Sequence, residues 1–235
     1  MRVIRSWTPM HLAQLTLDWI DERIGLRGLI TASLHVTIPR SAHTYYLGGI
    51  TLFFFMSQAV TGILLSLYYR ASPESAYDSV LFIMNQVNFG WLIRSVHAWG
   101  ANLMIVFCIL HMLRVVVQGA YKAPREVTWL AGIALLFVTL GFGFTGYLLP
   151  WDQRAYWATT VGTEIPGAVP FIGSFLRDLM RGGADVSAVT LTRFFGIHML
   201  VLPASLAGVL MAHLFIIHQQ GLADPKEDET KGAAK

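Results

Sequence analysis

Four apolar runs divide this chain, from about Tyr45 to Tyr69, Arg94 to Gln118, Thr128 to Leu149 and Leu191 to Ile217. Each is close to the ~20 residues an α-helix needs to cross the hydrocarbon core of a bilayer. Lipid offers the backbone no hydrogen bonds, so runs of this length and apolarity fold as membrane-spanning helices. Composition agrees: 235 residues that are 54% hydrophobic and 13% charged, with mean hydropathy +0.54, hold too much apolar surface for one soluble core of this size. The expected class is an all-α membrane protein built on a four-helix bundle.

The charges lie between the apolar runs. A formal charge of +3 spread in that way argues against nucleic-acid binding. Cys108 is the single cysteine, which excludes an internal disulfide and a Cys-x-x-Cys zinc or c-type haem motif. Residues 1 to 44 lack a compact apolar core followed by a small-residue cleavage site, so a cleaved signal peptide is not expected. Within them, residues 9 to 27 set Leu12, Leu15, Trp19, Ile20 and Ile24 among Asp18, Asp21, Glu22 and Arg23, the pattern of an amphipathic helix on the bilayer surface. The chain thus divides into an N-terminal segment (1–44), a four-helix domain (45–217) and a tail (218–235). The stretch from Pro150 to Thr190 is too long for a plain loop; Pro166-Gly167 and Pro170 bracket an apolar piece, Phe171 to Met180, expected as a short surface helix.

Two of the spans carry paired histidines: His97 and His111, 14 residues apart, and His198 and His213, 15 apart. At ~1.5 Å per residue each pair covers about 21 to 23 Å, and four turns take ~14.4 residues, so both members of a pair look out in nearly the same direction. Polar groups are costly in a bilayer and usually mark function. One such histidine is ordinarily a packed residue, but four at matched depths are not. Zinc wants a tetrahedral ligand set at one point; two separated bis-imidazole pairs suit haem iron.

Glycines repeat the spacing. Gly48 and Gly62 in the first span, and Gly132 and Gly146 in the third, are each 14 residues apart. Generic helix packing is one explanation; close approach of a porphyrin edge, which glycine permits by lacking a side chain, is the other. Orientation follows from Lys and Arg. The side holding both termini carries eleven and the other side six, which favours cytoplasmic termini. The second and fourth spans then run parallel, pairing His97 with His198 on the outer side and His111 with His213 on the inner side.

Several strings are more specific: Leu47-Gly48-Gly49-Ile50-Thr51, Asn88-Phe89-Gly90-Trp91-Leu92-Ile93-Arg94-Ser95-Val96-His97, Pro124-Arg125-Glu126-Val127-Thr128-Trp129, Gly146-Tyr147-Leu148-Leu149-Pro150-Trp151-Asp152-Gln153 and Leu191-Thr192-Arg193-Phe194. With these the chain resembles the cytochrome b family, in its four-helix b6-type N-terminal half, over roughly residues 10 to 225. The resemblance implies two noncovalent b haems, a low-potential outer one on His97 and His198 and a high-potential inner one on His111 and His213. It implies electron transfer from quinol oxidised outside to quinone reduced inside, in a protonmotive cycle. Arg94 and Arg114, each three residues from a histidine, then lie within reach of haem propionates, or else snorkel to the interface. The spacing of His198 and His213 resembles the b6 branch; the mitochondrial type has one residue fewer.

The family pattern is departed from in two places. Oxygenic b6 proteins carry a cysteine at the start of the first helix for a third, c-type haem, and Tyr46 stands there instead, which argues against a covalent third haem. His218, five residues after His213, stands where the mitochondrial type has a quinone-binding histidine, and an inner quinone contact is weighed equally with a plain interfacial residue. The Pro-Glu-Trp-Tyr motif of the outer quinol site is absent from this sequence. The resemblance therefore implies a separate subunit bearing it, a Rieske iron-sulfur protein, a c-type cytochrome and a dimeric complex in a bacterial cytoplasmic membrane. This chain's own share of the outer quinol site would be Tyr147, Pro150, Trp151 and Asp152. A dihaem anchor wiring another dehydrogenase to the quinone pool is the alternative, and the Pro-Trp-Asp turn and long third loop argue against it.

Overall fold

The computed structural model describes residues 9–24 and 46–221. The N-terminal unit is one helix, α1 (Pro9–Ile24), opened by a proline, which suits a first helical turn, and followed in the sequence by Gly25. Leu15 and Trp19 of the expected apolar stripe are exposed. The side chains of Leu12, Ile20 and Ile24, and residues 25–27, lie outside the described residues.

The second unit holds the rest: α2 (Tyr46–Ser66), α3 (Ala76–Gln86), α4 (Gly90–Val117), α5 (Glu126–Leu148), α6 (Gln153–Gly167), α7 (Gly173–Arg181), α8 (Ala188–Gly196), a π-turn (Ile197–Val201) and α9 (Leu202–Gln220). Its described residues are helices and the turns between them. Four helices are long and apolar enough to cross a membrane: α2, α4, α5 and the continuous α8–π–α9 rod of 33 residues. α2 packs on α4 and α5 on α9, with α4 against α5 joining the two halves. Outward faces show Phe53, Val106, Phe137, Met211 and Phe215, each half or more exposed. In water such a belt would be an aggregation site, whereas in lipid it is solvated.

The most tightly buried cluster, Ala76, Leu148, Leu191 and Phe194, sits at one end of the bundle, where Tyr69, Phe144, Leu149 and Trp151 close over it. Tyr69 Oη donates to the Leu149 carbonyl at 2.7 Å, tying the end of α2 to the α5–α6 turn, and burial pushes its phenol pKa up. The third loop differs from expectation. The helix expected over 171–180 begins at Gly173, because Phe171 takes a left-handed φ of +68° and Gly173 N donates back to Val169 O. Before it runs α6, which sequence reading did not foresee. Its residues are too polar and too rich in β-branched threonine to announce a helix. Tertiary contacts hold it: Arg181, 3% exposed, donates to Thr163 Oγ1, the Thr160 carbonyl and Glu164 Oε1, all in α6. Asp152 caps the helix by accepting from Ala155 N at 2.8 Å. The short α3, between the first two spans, was likewise not foreseen.

Candidate functional site

At the tightly packed end, the imidazoles of His97 on α4 and His198 in the π-turn face each other, ring centres 6.4 Å apart and planes at 69°. Two metal–nitrogen bonds of about 2 Å, plus roughly 1 Å of each ring, put imidazole centres on opposite sides of one metal ion about 6 Å apart. The protonation of both rings can be deduced. Thr61 Oγ1 lies 2.7 Å from Ser57 O and 2.9 Å from His97 Nδ1. A carbonyl only accepts, so the hydroxyl proton goes to Ser57, and His97 Nδ1–H donates to the hydroxyl. Thr145 repeats this, with Gly141 O at 2.8 Å and His198 Nδ1 at 3.0 Å. Both Nε2 atoms are left with a free lone pair, the form a metal requires.

At the other end, His213 Nδ1 donates to the Thr128 carbonyl at 3.1 Å, and its Nε2 is free for the same reason. His111 lies within electrostatic reach of His213, and its buried Nδ1 has no hydrogen-bond partner among the described residues. The four glycines each meet a different histidine. A Cβ on Gly62 would lie 3.2 Å from His97 Cε1, on Gly48 3.2 Å from His111, on Gly146 2.7 Å from His198, and on Gly132 3.6 Å from His213. The glycines therefore make room for imidazole rings from neighbouring helices.

The π-turn corrects a helical phase. A step of 15 overshoots four α-turns of ~14.4 residues, where a step of 14 falls just short. At Ile197–Val201 the helix widens, Leu202 N bonding to Ile197 O, five residues back. That extra residue is taken up in one turn, so His198 and His213 share a face as His97 and His111 do.

Around His97 and His198 lies a cavity of about 610 Å³, also lined by Gly62, Gly146 and Arg94. Cofactor pockets run about 300–1,000 Å³. Among the described residues no group of three or more His, Cys, Asp or Glu converges, whereas a structural zinc site takes four ligands at one point. A planar macrocycle between two imidazoles fits such donors, and haem is that group.

Tyr147, Pro150 and Asp152 also line this cavity, whereas Trp151 does not: at φ +53° it turns into the buried cluster and meets Tyr156 edge-on at 5.9 Å. Arg114 is in the last turn of α4, and His218 in the last turn of α9. Sequence reading missed Thr61 and Thr145 as histidine partners, Arg154 in the cavity wall and Arg181 as a buried hub. A signal for the first two was present, since the glycines facing His97 and His198 follow a threonine, Thr61-Gly62 and Thr145-Gly146, and those facing His111 and His213 do not.

Fold and site together define a membrane-spanning four-helix bundle with paired histidines at two depths, the architecture of a haem-carrying electron-transfer protein. The cytochrome b/b6/petB family profile matches residues 33–221. Cytochrome b6 of Synechococcus elongatus is 44% identical over 209 residues, 88% of this chain and 97% of that protein. Cytochrome b6 of Prochlorococcus marinus (strain MIT 9515) is also 44% identical, over 88% of this chain and 96% of its own. A solved structure described as a hyperthermophilic respiratory Complex III matches with TM-score 0.81 and 36% identity, over 89% of this chain. This chain spans 56% of that structure's chain. The chain belongs to the cytochrome b/b6 family. It is the cytochrome b subunit of a quinol oxidoreductase, a multi-pass membrane protein that binds haem b and works in a complex with other subunits.

Proposed function

We propose that the chain holds two noncovalent b haems, an outer one on His97 and His198 and an inner one on His111 and His213. Together they connect quinol oxidation outside the membrane with quinone reduction inside, in a protonmotive cycle. Haem bound at these pairs supplies reversible one-electron transfer. The observation that most supports the reading is the opposed outer pair, 6.4 Å apart, with both Nδ1 atoms engaged and both Nε2 atoms free.

The residues present have definite tasks. Arg94, in the cavity wall three residues from His97, is placed to meet an acidic substituent of the outer haem, and Arg114 does the same beyond His111. Tyr147, Pro150 and Asp152 form this chain's part of the outer quinol site, with Trp151 bracing the turn from behind. His218, at the end of α9, offers an inner quinone a hydrogen bond. Moving a negative charge inward against the membrane potential costs about 2.3 kcal/mol per 100 mV, so the inner haem must have the higher potential. With Tyr46 where a cysteine would be needed, no third haem is attached covalently there.

The working complex then includes a subunit with the Pro-Glu-Trp-Tyr motif, a Rieske protein and a c-type cytochrome. It is dimeric and lies in a bacterial cytoplasmic membrane, with the termini of this chain inside. The test is a redox-resolved absorption spectrum of the purified complex, with pyridine haemochrome quantitation before and after acid-acetone extraction. Two extractable b haems per chain at separate potentials are expected; no haem would overturn the reading, and haem resisting extraction would overturn the assignment at Tyr46.

A further inference from the structure

The two ends of the bundle hold their histidines differently. At the inner end the one described Nδ1 partner is a main-chain carbonyl, that of Thr128. At the outer end both partners are side chains, Thr61 and Thr145, and each hydroxyl has its own proton committed to a carbonyl four residues earlier. A committed hydroxyl can only accept. An imidazole that donates Nδ1–H gives more electron density through Nε2 and favours the oxidised state of a bound metal, while the fixed bond sets the ring plane.

We infer that Thr61 and Thr145 are positioning residues for the outer haem: by accepting from His97 and His198 they fix the tautomer and plane of both ligands and hold that haem's potential below the value the histidines alone would give. This rests on the assignment of the outer haem to His97 and His198. Thr51, on the same helix as Thr61, makes the same bond to the carbonyl four residues back, Leu47 O at 2.9 Å, and no histidine partner is described for it, so it separates helix effects from ligand effects.

The experiment uses the assembled complex with Thr61→Val, Thr145→Val, Thr51→Val and the serine variants Thr61→Ser and Thr145→Ser. Readouts are haem b content, the midpoint potentials of both haems and the ferric low-spin electron paramagnetic resonance signal. The expected result has several parts. Thr61→Val and Thr145→Val each raise the outer potential and shift its ferric signal. Both serines restore both values, and Thr51→Val and the inner haem do not move. An outer potential and signal unchanged in Thr61→Val with haem intact would overturn the inference and leave the two-haem reading standing. An unaltered complex without haem would instead sink the two-haem reading. If Thr61→Val fails to assemble, pulsed resonance on nitrogen-labelled histidine in the unaltered complex decides: a protonated Nδ1 on both outer ligands is required, and its absence overturns the inference.

Discussion

On α4 the two histidines stand 14 residues apart along unbroken α-helix, whereas on the fourth span they stand 15 apart with a π-turn taking up the difference. The fit of the facing glycines differs in the same sense. Both histidines of α4 meet their glycines at 3.2 Å, while those of the fourth span meet theirs at 2.7 and 3.6 Å. A regular helix thus seats two imidazoles at equal distance from their glycines. The bulged one seats a tightly wedged imidazole within the π-turn and, 15 residues further on, one in ordinary contact with its glycine. Histidine phase can therefore be met by spacing alone or by spacing plus a local change of helix, and the second solution concentrates the close contact at one ring.

The largest effect is expected from removing a residue where no bulge can absorb the loss. Deleting Val106 turns His111 about 100° away from the face of His97 and draws it about 1.5 Å closer. Pyridine haemochrome assay of the complex should then find one b haem per chain in place of two. A full complement would show that phase along α4 is not what assigns the inner ligand.

Next come the glycines, graded by contact. Gly146→Ala places a Cβ 2.7 Å from His198 Cε1, and overpacking of that kind costs about 1–3 kcal/mol. The outer haem should dissociate at lower temperature, followed by its absorbance on heating. Gly62→Ala and Gly48→Ala, at 3.2 Å each, should weaken the outer and inner haems by smaller and equal amounts. Gly132→Ala, at 3.6 Å, adds an ordinary contact and should leave the inner haem in place, its helix gaining up to about 1 kcal/mol of propensity. If Gly132→Ala released haem as readily as Gly146→Ala, the glycines would not be acting through the imidazoles.

The smallest effect is expected from deleting Leu200 inside the π-turn. The rod then closes to a continuous α-helix with the 14-residue step of α4. Both haems should be retained, in contrast to the Val106 deletion, with at most a modest change in the outer potential. Loss of haem here would mean that the π-turn supplies ring orientation as well as phase.

Much of this was legible in the residues. The four spans follow from unbroken apolar length, which needs no partner to interpret, and the structure moves their ends by a few residues: the second begins at Gly90, the third at Glu126 and the fourth at Ala188. The repeats of His97 with His111 and of Gly48 with Gly62 were readable because both are periodic on one helix. What each glycine faces was not, since that depends on the rotation of one helix against another. The long third loop was the least legible part. A Thr-rich, weakly apolar segment becomes helix α6 because Arg181, distant in sequence, fills its hydrogen bonds. The Pro150 to Asp152 turn was visible as a motif, but its division of labour, with Asp152 capping a helix at the cavity wall and Trp151 turned into the packed cluster, was not.

The residues alone were enough to show four membrane-crossing lengths and histidines repeated at two depths along two of them. Transfer from water to lipid and helical periodicity act through local composition and spacing, and both can be summed along one chain. The tautomers of the imidazoles, the one-to-one pairing of glycines with them and the π-turn that brings His198 into phase came from the packing of the helices. Each of these depends on which groups from separate helices come within hydrogen-bonding or van der Waals distance, and that is set by packing.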